Sequence, residues 1–67
     1  MSKYDRLSPQ AYSVLDEIKY QYNYVFVDRL AANLDIPLAS VRRSLGELRR
    51  NGFNVQVQNQ VVRLVRG

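Results

Sequence analysis

The chain contains no cysteine, no histidine and no tryptophan. Without cysteine there is no disulfide, and without cysteine or histidine no ordinary zinc site. The same absences remove the usual nucleophiles, general bases and soft metal ligands. No cofactor is expected, and an enzyme is the reading the composition least supports. No apolar run approaches the ~18 residues that a membrane span needs. Residues 1–10 are polar and no signal-peptide core follows them. These features point to a soluble, cytoplasmic module with no membrane partner and no evident small-molecule effector.

What is present fits one small domain of 67 residues, of which 46% are hydrophobic. A chain of this size buries only roughly 60% of its unfolded surface. Packing alone must hold it, aided by a second copy or a ligand where those exist. The charge is unevenly spread. Residues 1–39 hold four basic and five acidic side chains, a net charge of −1. Residues 40–67 hold six arginines against the single acid Glu47, a net charge of +5. An all-arginine basic half suits an anionic partner, with nucleic acid the first candidate. A merely solvated surface is the alternative.

The pattern along the chain predicts an α+β fold. Residues 1–7 read as a loosely held arm. Ser8 is a good N-cap, Pro9 suits the first helical position, and Leu7 with Tyr12 can staple the entry. Ala11, Val14, Leu15, Ile18 and Tyr22 then form one helical stripe, and the helix should end within residues 20–23. Tyr24-Val25-Phe26 is β-prone and short. Asp28 falls at the start of a second helix, with Leu30, Ala31 and Leu34 facing inward. Asp35 can take the left-handed conformation of a tight turn. A third helix begins within residues 37–40 and stops at Asn51-Gly52. Val41, Leu45 and Leu48 share its inner face.

Beyond Phe53 the period changes to two. With Asn59-Gln60 as the turn, Val57 faces Val62 and Val55 faces Leu64. All four then point to one side, so pattern and register agree on a hairpin over residues 53–65. Gln60 suits positive φ poorly, so a turn longer by a residue or two is expected.

Residues 27–53 carry a resemblance. Leu30-Ala31 lies inside the second helix and Leu34-Asp35-Ile36 spans the turn. Val41-Arg42-Arg43-Ser44-Leu45-Gly46-Glu47-Leu48 follows, then Gly52 and a hairpin opening Gly-x-x-Val. This resembles the winged helix-turn-helix pattern of bacterial regulators, and most of all the N-terminal DNA-binding domain of biotin-operon repressors. It covers roughly residues 11–65. The ligase portion of those repressors is absent, so no ligase activity is implied. Asp35 stands where that pattern usually has glycine, and Pro37-Leu38 where it often has small polar residues. The resemblance implies a small winged helix: three helices, a helix-turn-helix and a C-terminal wing. It implies a repressor-like regulator of transcription or replication in a bacterium, phage or plasmid, with double-stranded DNA as partner.

The helical period gives a candidate surface independently. Opposite Val41, Leu45 and Leu48 lie Ala39, Arg43, Gly46 and Arg50. Arg42 and Arg49 flank that row on one side, Ser40 and Glu47 on the other. Arg43 can bond a guanine edge, while Arg42, Arg49 and Arg50 hold phosphates. Gly46 allows a close backbone approach, or is simply tolerated. Arg63 and Arg66 on the wing reach phosphate or minor groove, or keep an edge strand soluble. The five tyrosines, 4, 12, 20, 22 and 24, suit base stacking. Lying away from the arginine-rich half, they fit core-edge packing or a dimer contact better. Asp16 and Glu17 are adjacent on a helix and read as solvated.

Two functions from different classes follow. One is a duplex DNA-binding protein, helped by a homodimer or higher oligomer because one such module contacts few base pairs. The other is a protein-interaction adaptor that uses the wing amides Asn54, Gln56, Gln58, Asn59 and Gln60 or the tyrosine-rich first helix.

Overall fold

The computed structural model describes residues 3–65. After a 3₁₀ turn at Lys3–Arg6 come α1 (Pro9–Tyr20), β1 (Tyr24–Phe26), α2 (Val27–Leu34), α3 (Leu38–Arg50), β2 (Val55–Gln58) and β3 (Val61–Leu64). The fold is α+β, with three α-helices packed on a three-stranded antiparallel sheet of order β1-β3-β2. The arrangement is winged-helix-like. No helix among the described residues is long and apolar enough to cross a membrane.

The core follows from the two periods. Ala11, Val14, Leu15 and Ile18 of α1 meet Val27 and Leu30 of α2 and Val41, Leu45 and Leu48 of α3. Val25, Val55, Val62 and Phe53 close it from the sheet side. Leu7 packs against its margin, so the segment before α1 is tied to the body at that point. Ser44 is also buried on α3, where its hydroxyl reaches the Gln10 side chain of α1 at 3.5 Å.

All three helices end in the same way. In each, a residue takes positive φ while its N–H and the next N–H bond back into the last turn, and after α1 the following Asn23 (φ 66°) is left-handed as well. After α1, Tyr22 N–H donates to the Lys19 carbonyl and Asn23 N–H to that of Ile18. After α2, Asp35 and Ile36 bond back to Ala32 and Ala31. After α3, Gly52 and Phe53 bond back to Arg49 and Leu48. The first left-handed residue is Tyr22 (φ 59°), Asp35 (φ 54°) and Gly52 (φ 90°) in turn. Only the last is glycine. Tyr22 therefore leaves the apolar stripe of α1, where the helical period placed it, and is 92% exposed.

The hairpin has the register read from its alternation: Val55 opposite Leu64, Gln56 opposite Arg63, Val57 opposite Val62, and Gln58 opposite Val61. Its turn is not lengthened. Asn59 (φ 53°) and Gln60 (φ 63°) both adopt positive φ, which makes a two-residue type I′ turn. The reason lies outside the hairpin. Val61 pairs with Phe26 as well as with Gln58, and the Gln60 carbonyl accepts the Val27 N–H at 2.8 Å. Pinned from both sides, the turn has no slack.

Tyr22 and Gln60 hold a conformation that costs an L-residue about 1–2 kcal/mol and glycine almost nothing. Part of any gain is cancelled by the looser unfolded chain that glycine brings. Tyr22→Gly and Gln60→Gly should each stabilise the domain by about 0.5–1 kcal/mol. In a domain this small that is a rise in melting temperature of about 2–8 °C, read by circular dichroism. A fall in either variant would mean that the side chain makes contacts worth more than the strain.

Candidate nucleic-acid interface

α3 is oriented by its buried face. With Val41, Ser44, Leu45 and Leu48 turned inward, its opposite side must face solvent. Ala39, Arg42, Arg43, Arg49 and Arg50 are exposed, and Ser40 and Gly46 are half-buried. The structure thus brings seven of the sequence-derived site residues together on one helix. A Cβ placed on Gly46 would meet nothing within 4 Å except an Arg50 guanidinium nitrogen at 3.4 Å. No packing contact requires glycine there.

The arginines differ in what holds them. Arg49 Nε donates to the Val55 carbonyl at 3.0 Å and so ties the helix to the wing. Arg50 lies near enough to Glu47 for its charge to help lower that carboxyl's pKa. Between α3 and the wing runs a groove of about 360 Å³ lined by Val27, Leu45, Val57, Arg42, Arg49 and Gln60. Val57 shares the inward side of the hairpin, yet it lies in this groove and is 40% exposed.

Glu47 does not stand free at the rim of the helix face. It receives the Ser8 backbone N–H at 2.7 Å and the Ser8 hydroxyl at 2.9 Å. Ser8 Oγ in turn accepts the Ala11 N–H at 3.2 Å. The N-terminus of α1 is therefore capped by its own serine and by a carboxylate from α3. These two Ser8 bonds, with the backbone one the stronger influence, hold the Glu47 pKa below its ordinary value of 4.5. A carboxyl depressed by folding stabilises the fold above its unfolded pKa, and that stability is lost as pH falls through the folded value. Glu47→Gln should be less stable than wild type at neutral pH, and the two melting curves should converge as pH drops below about 4.5. Equal stability of the pair at pH 7 would remove Glu47 from the cap.

Glu17 is likewise engaged. Its carboxylate accepts from Gln21 at 2.9 Å and from Asn33 of α2 at 3.0 Å, joining two helices where the sequence suggested a solvated side chain.

Arg63 stands apart from the α3 set. It lies on the central strand next to buried Val62, so alternation turns it to the outer face of the sheet. There its cross-strand neighbours are Tyr24 on β1 and Gln56 on β2. Arg66 lies outside the described residues. Tyr12, Tyr20, Tyr22 and Tyr24 are exposed and not core residues. For Tyr24 the separation from arginine along the sequence does not survive folding, because β1 pairs with β3 and sets it opposite Arg63. The same-face spacing of Tyr24 and Phe26 was visible in the sequence, but nothing local revealed which strand would receive them.

Among the described residues no three Asp, Glu, His or Cys side chains gather into a cation site. Comparison with protein-family models, with curated proteins and with solved structures found no match to this chain.

Proposed function

We propose that this protein binds double-stranded DNA, with α3 entering the major groove, and that it acts as a small regulator of transcription or replication. The observation that carries the reading is the exposed face of α3. Arg42, Arg43, Arg49 and Arg50 project from one helix whose other side is fixed in the core. Gly46, among them, presents backbone covered only by the movable guanidinium of Arg50. An α-helix fits the major groove, where arginine bonds guanine O6 and N7. Arg43, on the outermost line of the helix, is the candidate for base contact. Arg42 and Arg49 rim the groove beside the wing, where a sugar–phosphate backbone would set its sugars against Val57 and its phosphates against the guanidiniums. Specificity beyond a few base pairs would come from a homodimer or from clustered sites.

The test is fluorescence anisotropy of a labelled mixed-sequence duplex of about 30 base pairs at two salt concentrations. Each phosphate neutralised contributes a slope of about −0.9 in log K against log salt. Three phosphate-holding arginines, Arg42, Arg49 and Arg50, predict an affinity loss of roughly 40-fold between 50 and 200 mM salt. Absence of binding at low salt would overturn the reading and assign the module to a protein partner.

A further inference from the structure

The outer face of the sheet carries a second set of side chains, distinct from α3. By register it has two cross-strand rows: Tyr24, Arg63 and Gln56 in one, and Phe26, Val61 and Gln58 in the other. Tyr24 is 57% and Phe26 55% exposed. We propose that this face is a stacking platform for single-stranded nucleic acid, taking two successive bases on Tyr24 and Phe26, with Arg63 as the cation beside them.

Several features favour this occupant. The two rings stand on the same side of one strand, about 6.7 Å apart along it, so each is a separate seat on a flat support. Aromatic rings on a sheet accept any base, because every base has a π-face. Arg63, directly across from Tyr24, supplies a guanidinium that can both stack and meet phosphate. Gln56 and Gln58 offer amide donors and acceptors at the level of the base edges. The face carries no acidic side chain that would repel a phosphate chain.

Phe26 gives a separate indication. It occupies the N-cap of α2 and makes no side-chain cap bond. Serine, threonine, aspartate or asparagine would satisfy an orphan N–H there. The position carries an exposed ring in place of the residue that best serves the helix. Size argues against a second copy of the chain as occupant. Three strands by two rows cover roughly 150–200 Å² in plan. A stable protein interface needs about 800 Å² from each partner.

The chain has no tryptophan, so Tyr24→Trp places a single indole reporter on the platform. Titrated with an oligothymidylate of about 12 nucleotides at low salt, this variant should show quenched indole fluorescence. Adding Phe26→Ser should weaken binding roughly 5- to 150-fold, the range for loss of one stacked base. Phe26→Leu, which keeps bulk without a π-face, should do the same and guards against a folding artefact. Arg63→Gln should weaken binding and flatten its salt dependence, whereas Arg43→Ala on α3 should change neither. The proposal fails if no quenching occurs. It fails if quenching survives both Phe26 variants and Arg63→Gln, or is lost with Arg43→Ala, which would place the strand on α3. It also fails if the indole spectrum shifts with protein concentration alone as the sedimenting mass doubles, which would give the face to a second copy. None of these results depends on whether duplex DNA binds.

Discussion

Leu48→Ala is expected to remove about 2–5 kcal/mol, a large part of the stability of this domain. Leu48 is fully buried on α3, in the cluster formed with α1, α2 and the sheet. Truncating such a leucine costs about 2–5 kcal/mol, from lost transfer energy plus the cavity left behind. At about 0.05–0.15 kcal/mol per residue, a domain this long has only about 3–10 kcal/mol in total. It has no disulfide to limit the unfolded ensemble. The removed fraction is therefore large in a way that the same change in a larger domain would not be. Urea unfolding followed by circular dichroism measures it. Val57→Ala is the control, because Val57 is on the same apolar side of the hairpin but 40% exposed in the groove. That change should stay within about 0.5 kcal/mol. A Leu48→Ala loss below about 1 kcal/mol would mean that the α3 packing collapses onto the cavity and is not the principal support of the fold.

What the sequence disclosed about this fold depended on how local each signal was. The hairpin register was readable because period-two alternation and turn length constrain each other within ten residues. The caps were readable at Ser8 and Gly52, where the residue type matches the geometry. The helical period places Tyr22 on the stripe because a helix end normally marked by glycine is made here by tyrosine. Gln60 carries no local mark of its left-handed conformation either. The constraint that forces its positive φ comes from β1 and the start of α2, more than thirty residues away in the chain.

The candidate surfaces divide along the same line. The outward row of α3 follows from helical periodicity alone. That Glu47, beside this row, caps α1 could not be read, since its partner is 39 residues distant. The hairpin register already implied that Gln56, Gln58, Val61 and Arg63 share the outer face. Which residues join them there depended on the docking of β1, a non-local pairing with no signature in its own three residues. Folding thus separates Arg63, on the outer face of the sheet, from the four arginines of α3.

Arg43→Ala and Arg50→Ala together should abolish duplex binding, and the single changes should differ in kind. If Arg43 bonds a guanine edge, its loss costs about 1–3 kcal/mol and relaxes sequence preference at that base. If Arg50 holds a phosphate, its loss weakens all sequences alike and reduces the salt slope by about 0.9. Alanine is a better helix former than arginine and both positions are exposed, so the fold should persist. Net charge alone could lower affinity, and the control for that is Arg29→Ala. Arg29 is exposed on α2, and its removal takes away the same charge at another place. Under a generic attraction between a basic protein and DNA, all three single variants would weaken binding by similar factors. Under insertion of α3, Arg29→Ala should retain nearly full affinity. Equal losses at positions 29, 43 and 50 would take α3 out of the major groove and leave only unspecific charge attraction.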